Sequence, residues 1–148
     1  MKAITLTQPW ASLMALGAKR QETRSWPTTL TGEVAITAAK NFPKDCRELC
    51  MSRDFGRFVP DWKSLPTSCV LAVGTLVKCV RTESEFARLG ELATPESFAE
   101  LLFGDYSPFR FVHVYTDIKP LREPVPCRGA LGYWELPSDI EALVRAQL

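Results

Sequence analysis

Apolar side chains recur along this chain with two spacings, and the switches between them mark its elements. Lys2 to Thr7 sets Ile4 and Leu6 against Ala3, Thr5 and Thr7, which predicts a short strand. Trp10, Leu13, Met14 and Leu16 then fall on one helical stripe, with Thr7 as a candidate N-cap, Pro9 in the first turn and Gly17 as the stop. Residues 19–26 are polar and extended, and Pro27 biases Trp26 away from helix. A second strand is predicted over Glu33–Ala39 and a helix over Pro43–Arg53, followed by an irregular connection through residue 67.

Ser68–Val80 carries the strongest strand pattern, broken by Gly74, where a bulge or a tight bend is expected. Residues 82–105 are acidic and helical in pattern, with Thr94-Pro95-Glu96 opening a helix through Phe103. Phe109–Ile118 alternates an aromatic face, which includes His113, with Arg110, Val112 and Val114, and Pro120, Pro124 and Pro126 are expected to end it. Leu131–Leu136 reads as the last strand, and Ser138 with Glu141 as the capping box of a terminal helix. The order predicts an α+β fold, a small mixed β-barrel of about five to six strands with flanking helices. A regular parallel βαβ sheet fits less well, because the last strands are joined without a crossover helix.

With 148 residues and neither repeat nor linker, residues 1–148 are expected to form a single domain. No apolar run reaches the roughly 20 residues of a membrane span, and the first residues lack the apolar core of a secretory signal, so no membrane partner is expected and the cytoplasm is the default location. Five cysteines without paired spacing argue against a disulfide framework; Cys46 and Cys50, four apart, read as buried small hydrophobes. One histidine and no C-x-x-C pair leave a metal site little to draw on, and no cofactor is indicated. The net charge of +1 is uninformative, but its distribution is uneven. Residues 1–40 carry five basic and two acidic side chains; residues 81–105 carry two basic and six acidic ones.

The chemistry concentrates between Lys19 and Trp26. If alternation holds, Arg20, Glu22, Arg24 and Trp26 share one face and Lys19, Gln21, Thr23 and Ser25 the other. One guanidinium can grip Glu22 bidentately while the second stays free for an anion such as phosphate, and Trp26 can stack a base. A strand-edge ion pair beside a core tryptophan has the same pattern. Trp10 and His113 likewise suit a packed core, and Lys40, at a strand end, suits either a phosphate contact or plain solvation.

Gln8-Pro9-Trp10-Ala11-Ser12-Leu13, then Gly17-x-Lys19-Arg20-x-Glu22-x-Arg24-Ser25-Trp26, then Gly32-x-Val34-x-Ile36, resembles the N-terminal half of ASCH domains, members of the PUA-like superfamily. Weaker similarity continues at Ser68-Cys69-Val70-Leu71, Ser107-Pro108-Phe109 and Gly132-Tyr133-Trp134-Glu135-Leu136. The resemblance implies a PUA-like barrel with a cleft beside the first helix and a ligand that is a nucleic acid, RNA or DNA, or a nucleotide. Lys19, Glu22 and Arg24 would line that cleft, with Ser25 and Trp26 beside them and Gln8 and Trp10 at the helix start.

Some relatives are amidohydrolases of acetylated cytidine, with a threonine nucleophile three residues after the lysine. Here that position is Glu22, and a carboxylate cannot take the threonine's part. Ribonuclease activity has been attributed to other ASCH proteins. Two readings follow. The favoured one is a binding module in which Gln8, Trp10, Lys19, Arg20, Glu22, Arg24, Ser25, Trp26 and Lys40 contact nucleic acid. The alternative is a hydrolase of a nucleic acid or modified nucleoside, with Lys19 and Glu22 as its catalytic acid–base pair. A protein partner is unspecified, and the acidic segment 82–105 is where its surface would be sought.

Overall fold

The computed structural model describes residues 1–148. Six strands form one curled sheet: β1 (Lys2–Leu6), β2 (Gln21–Arg24), β3 (Gly32–Ala38), β4 (Cys69–Arg81), β5 (Phe111–Pro126) and β6 (Tyr133–Glu135), in the spatial order β2-β5-β4-β3-β1-β6. Only β1 and β3 run parallel; every other pair is antiparallel. This is the expected α+β barrel in half-closed form, flanked by α1 (Trp10–Ala15), α2 (Lys44–Leu49), α3 (Arg53–Gly56), α4 (Thr82–Leu92), α5 (Pro95–Phe103) and α6 (Ser138–Arg145).

Period-two alternation decides what each strand buries. In β3, Val34, Ile36 and Ala38 enter one core with Ile4, Leu6, Ala11 and Met14, while Ala35 enters another with Ala3, Val70 and Val144. A third cluster joins Leu13 of α1 to Cys50, Phe55 and Phe103, which seats α3 and α5 against α1. Cys46 and Cys50 are buried, as expected, and all five cysteines are free thiols.

Four local expectations are corrected. Thr7 does not cap α1 through its side chain; its carbonyl accepts from Ala11 N (3.3 Å), and Pro9 holds the cap position. The helix expected over 43–53 breaks in two, because the Ser52 hydroxyl caps a new start by accepting from Phe55 N. The prolines do not end the aromatic strand: β5 runs to Pro126, and Pro120 lies opposite Ala72, between two of the register shifts that interrupt the β4–β5 ladder. Ser138 and Glu141 form no capping box. Glu141 instead accepts from the N-terminal amine (2.9 Å). The expectation at Thr94 holds, with its hydroxyl accepting from Ser97 N (3.1 Å) and Ser97 Oγ from Thr94 N (2.9 Å). Gly74 lies at one of the β4 register shifts, and a Cβ there would press on Tyr115 and Ile118 at 3.2–3.3 Å.

The two ends of the sheet, β2 and β6, share no main-chain ladder. Side chains join them. Tyr133 of β6 reaches His113 and Tyr115 of β5, and the Arg24 guanidinium of β2 donates to Thr5 O of β1 (3.0 Å).

Candidate nucleic-acid interface

Along β2 the register sets Glu22 opposite His113 and Arg24 opposite Phe111, with Gln21 and Thr23 opposite Val114 and Val112. Opposed residues share a face, so Glu22 and Arg24 turn toward the seam. Gln21 turns the other way, donating to Glu85 Oε2 (2.6 Å) and accepting from Tyr106 Oη (2.8 Å).

The Glu22 carboxylate is held by two cations. Lys19 Nζ donates to Oε1 (3.1 Å), and Arg24 Nε and Nη2 both donate to Oε2 (3.1 and 2.9 Å). Lys19 also donates to Gln21 O and is fully buried. Burial alone would push the Glu22 carboxyl up; Lys19 and then Arg24 more than reverse this and hold it below the ordinary value. Lys19 stays inside with Glu22, and Arg24 carries its own charge to the surface, its side chain 25% exposed.

Beyond Arg24 opens a cleft of about 510 Å³, lined by Thr5, Thr7, Trp10, Glu22, Arg24 and Phe103 among others. That volume suits a nucleoside-sized ligand. Trp10 is fixed as a wall, its indole N–H donating to Phe103 O (2.8 Å). Gly104 is a close-approach position: a Cβ there would meet the Tyr106 ring at 2.6 Å and the Thr23 methyl at 3.3 Å, so glycine lets the end of α5 settle on β2. On the rim, Arg110 Nε lies 3.4 Å from Asp105 Oδ2 but out of line for a hydrogen bond, and this buried N–H has no acceptor.

On the other side of Arg24, aromatic side chains fill the seam. The Trp26 ring meets His113 edge-on at 4.9 Å and Tyr133 at 5.6 Å, and the Arg24 guanidinium lies 5.9 Å from its centroid. His113 Nε2 is 3.0 Å from Trp26 O, which can only accept, so Nε2 carries the proton. Burial lowers the His113 pKa and keeps the ring neutral. Nδ1 therefore accepts from Tyr133 Oη (2.8 Å), and the Tyr133 oxygen accepts in turn from Tyr115 Oη (2.6 Å). Burial pushes the Tyr133 phenol up to about 12, so the relay stays uncharged.

Of the residues singled out in the sequence, Trp10, Glu22 and Arg24 meet in the cleft, with Lys19 directly behind. Gln8 does not join them: it is fully buried and donates to Ser12 Oγ and Pro66 O (both 2.8 Å). Arg20 faces a different cavity, Ser25 is exposed in a bend, and Lys40 is exposed beyond the end of β3. Trp26 braces Arg24 from outside the cleft. Asp105, Arg110 and Phe103 were missed, although the Ser107-Pro108-Phe109 similarity lies between the first two. No three His, Cys, Asp or Glu side chains gather as a metal-holding group.

Residues 4–127 match the ASCH domain. The chain belongs to the ASCH family. It is 30% identical over 141 residues to human activating signal cointegrator 1 and 28% identical to the mouse protein, across 93% of the chain and 22% of each relative. The chain thus spans about a fifth of the length of these curated relatives. The crystal structure of an ASCH protein from Zymomonas mobilis superposes with a TM-score of 0.58 at 15% identity, covering 98% of this chain and 93% of that one. A variant of it gives 0.59 at 13% identity, covering 98% and 96%. At such identities the likeness concerns the ASCH fold alone. No helix of this ASCH domain is long and apolar enough to cross a membrane.

Proposed function

We propose that this ASCH domain, acting as one unit over residues 1–148, is a nucleic-acid-binding module that holds a phosphate or an unpaired nucleotide at the Arg24 cleft. The observation that carries the reading is the Arg24 guanidinium, part-exposed at the cleft and fixed on three sides by Glu22, Thr5 and Trp26. A pre-positioned guanidinium loses little freedom on gripping an anion. Arg110, part-exposed beside Asp105 on the lining of the same cleft, adds a second guanidinium. The family's association with nucleic acids points the same way. Five free thiols, four of them buried, suit a reducing compartment such as the cytoplasm.

The alternative, hydrolysis with Glu22 and Lys19 as acid and base, is less well served. A carboxylate tied to two cations and held below its ordinary pKa is a poor proton acceptor at neutral pH. Fluorescence anisotropy with labelled single-stranded RNA, single-stranded DNA and duplex DNA tests the proposal at two salt concentrations. The wild type is expected to bind in a salt-sensitive way. Arg24→Ala is expected to weaken binding about tenfold and to flatten the log–log salt slope by about 0.7 on a single strand. Unchanged affinity in Arg24→Ala, or no binding to any of the three, overturns it.

A further inference from the structure

Four residues other than glycine hold a left-handed backbone: Ser68, Ala93, Phe109 and Asp117. Three of them are small or short and polar. Phe109, at φ +66°, is the bulky one, and a bulky residue is strained in that region. A buried ring could offset the strain by packing, yet this one is 83% exposed, the most exposed aromatic side chain of the domain. The sequence pattern makes Phe109 the first residue of the aromatic strand; the structure sets it in a turn, ahead of β5.

The turn is firmly built. Phe109 N donates to Glu83 Oε1 (2.6 Å). Fully buried Thr82 clamps both flanks, its hydroxyl donating to Ser107 O (2.8 Å) and its N–H to Arg110 O (3.1 Å). Asp105 N donates to the Thr23 hydroxyl (3.0 Å), which ties the start of the loop to β2. Surroundings that enforce strain on a side chain contributing so little burial point to a contact outside the fold.

The position of the turn says which contact. Arg110, the next residue, lines the Arg24 cleft, and Asp105 lines it from the start of the same loop. The turn therefore flanks the cleft. A rigid, exposed aromatic ring beside a cationic cleft suits an unpaired strand, with phosphate on the guanidinium and a base on the ring. The Glu83 carboxylate at Phe109 N repels phosphate, so the part of a strand that suits this turn is a base. We propose that Phe109 is a stacking platform for an unpaired base, near the nucleotide whose phosphate Arg24 holds. The proposal rests on the nucleic-acid reading of the cleft and narrows it to strands with unpaired bases.

Phe109→Asn removes the ring and substitutes a residue that tolerates the left-handed backbone. Its melting temperature is expected to equal or exceed that of wild type, so weaker binding would not come from unfolding. In the anisotropy assay, Phe109→Asn is expected to bind a short single strand about tenfold more weakly than wild type, by the same factor at both salt concentrations, because stacking neutralises no phosphate. Arg24→Ala, by contrast, flattens the salt slope. Phe109→Trp is expected to bind at least as tightly as wild type. A short duplex and an abasic single strand of equal length offer no unpaired base, and on these wild type and Phe109→Asn are expected to bind alike. If Arg24→Ala weakens single-strand binding and Phe109→Asn does not, the stacking platform is overturned and the cleft reading stands. A loss in Phe109→Asn that is as large on the abasic strand also overturns it. If wild type binds no strand at all, both fall.

Discussion

Glu22 and Glu100 lie on either side of the same lysine, are equally hidden from water at 9% and 8% exposure, and are driven in opposite directions. Both feel burial first, which raises a carboxyl pKa. At Glu22 the paired cations Lys19 and Arg24 overcome it and the pKa falls; at Glu100 the Lys19 charge and the Arg20 and Gln21 N–H groups do not, and the pKa stays raised. Depth alone therefore does not decide how a buried carboxyl behaves; the completeness of its partners does. One carboxylate is a finished structural joint that steers an arginine outward. The other is an unfinished one.

The harshest way to break this contrast is Glu22→Ala. It strands buried Lys19 and frees Arg24 from its anchor, and loss of one partner of a buried pair costs about 3–5 kcal/mol. Urea unfolding is expected to show a drop of that order; a loss under about 1 kcal/mol would mean that the joint carries little of the fold.

A subtler test uses acid. Glu22, with its folded pKa lowered, contributes stability above the ordinary carboxylate value, lost as pH falls through the folded pKa. Glu100, with its folded pKa raised, costs stability when ionised, and that cost is relieved as pH falls through its folded pKa. Melting temperatures of wild type, Glu22→Gln and Glu100→Gln are compared across acidic pH. The wild-type advantage over Glu22→Gln is expected to shrink on acidification, while wild type gains ground on Glu100→Gln. Parallel trends in the two variants would erase the distinction.

The smallest effect concerns the helix that carries Glu100. Thr94→Ala removes the α5 cap and is expected to cost about 1 kcal/mol, whereas Ser138→Ala, at a helix start without a side-chain cap, is expected to be near neutral in the same assay.

Much of this was legible in the chain itself. β1 followed from alternation, and β3 and β4 from apolar runs that suit strands buried on both faces. Glu22 and Arg24 shared a face as their spacing required. The second grip on Glu22, however, comes from Lys19 and not from Arg20. Alternation starts only where β2 starts, at Gln21, and Lys19 lies in the irregular connection before it. β5 outran its prolines because the β4–β5 ladder is irregular around them, a property of the partner strand that no local pattern carries. Glu100 was hidden for the same reason. An acidic residue in an acidic helical segment reads as solvated until the fold lays α5 over the start of β2.

The seam between β2 and β6 has a kinetic consequence. It is held by a phenol, an imidazole, an indole and a guanidinium, so the curl can part along this line without breaking a single rung of the sheet. Such partings are sub-global fluctuations, far cheaper than unfolding. In hydrogen exchange, the free margins of β2 and β6 should trade their protons by breathing while β3 and β4 wait for the whole domain to open. The hydroxyl and ring protons of Tyr133 and His113 would be the first to report it.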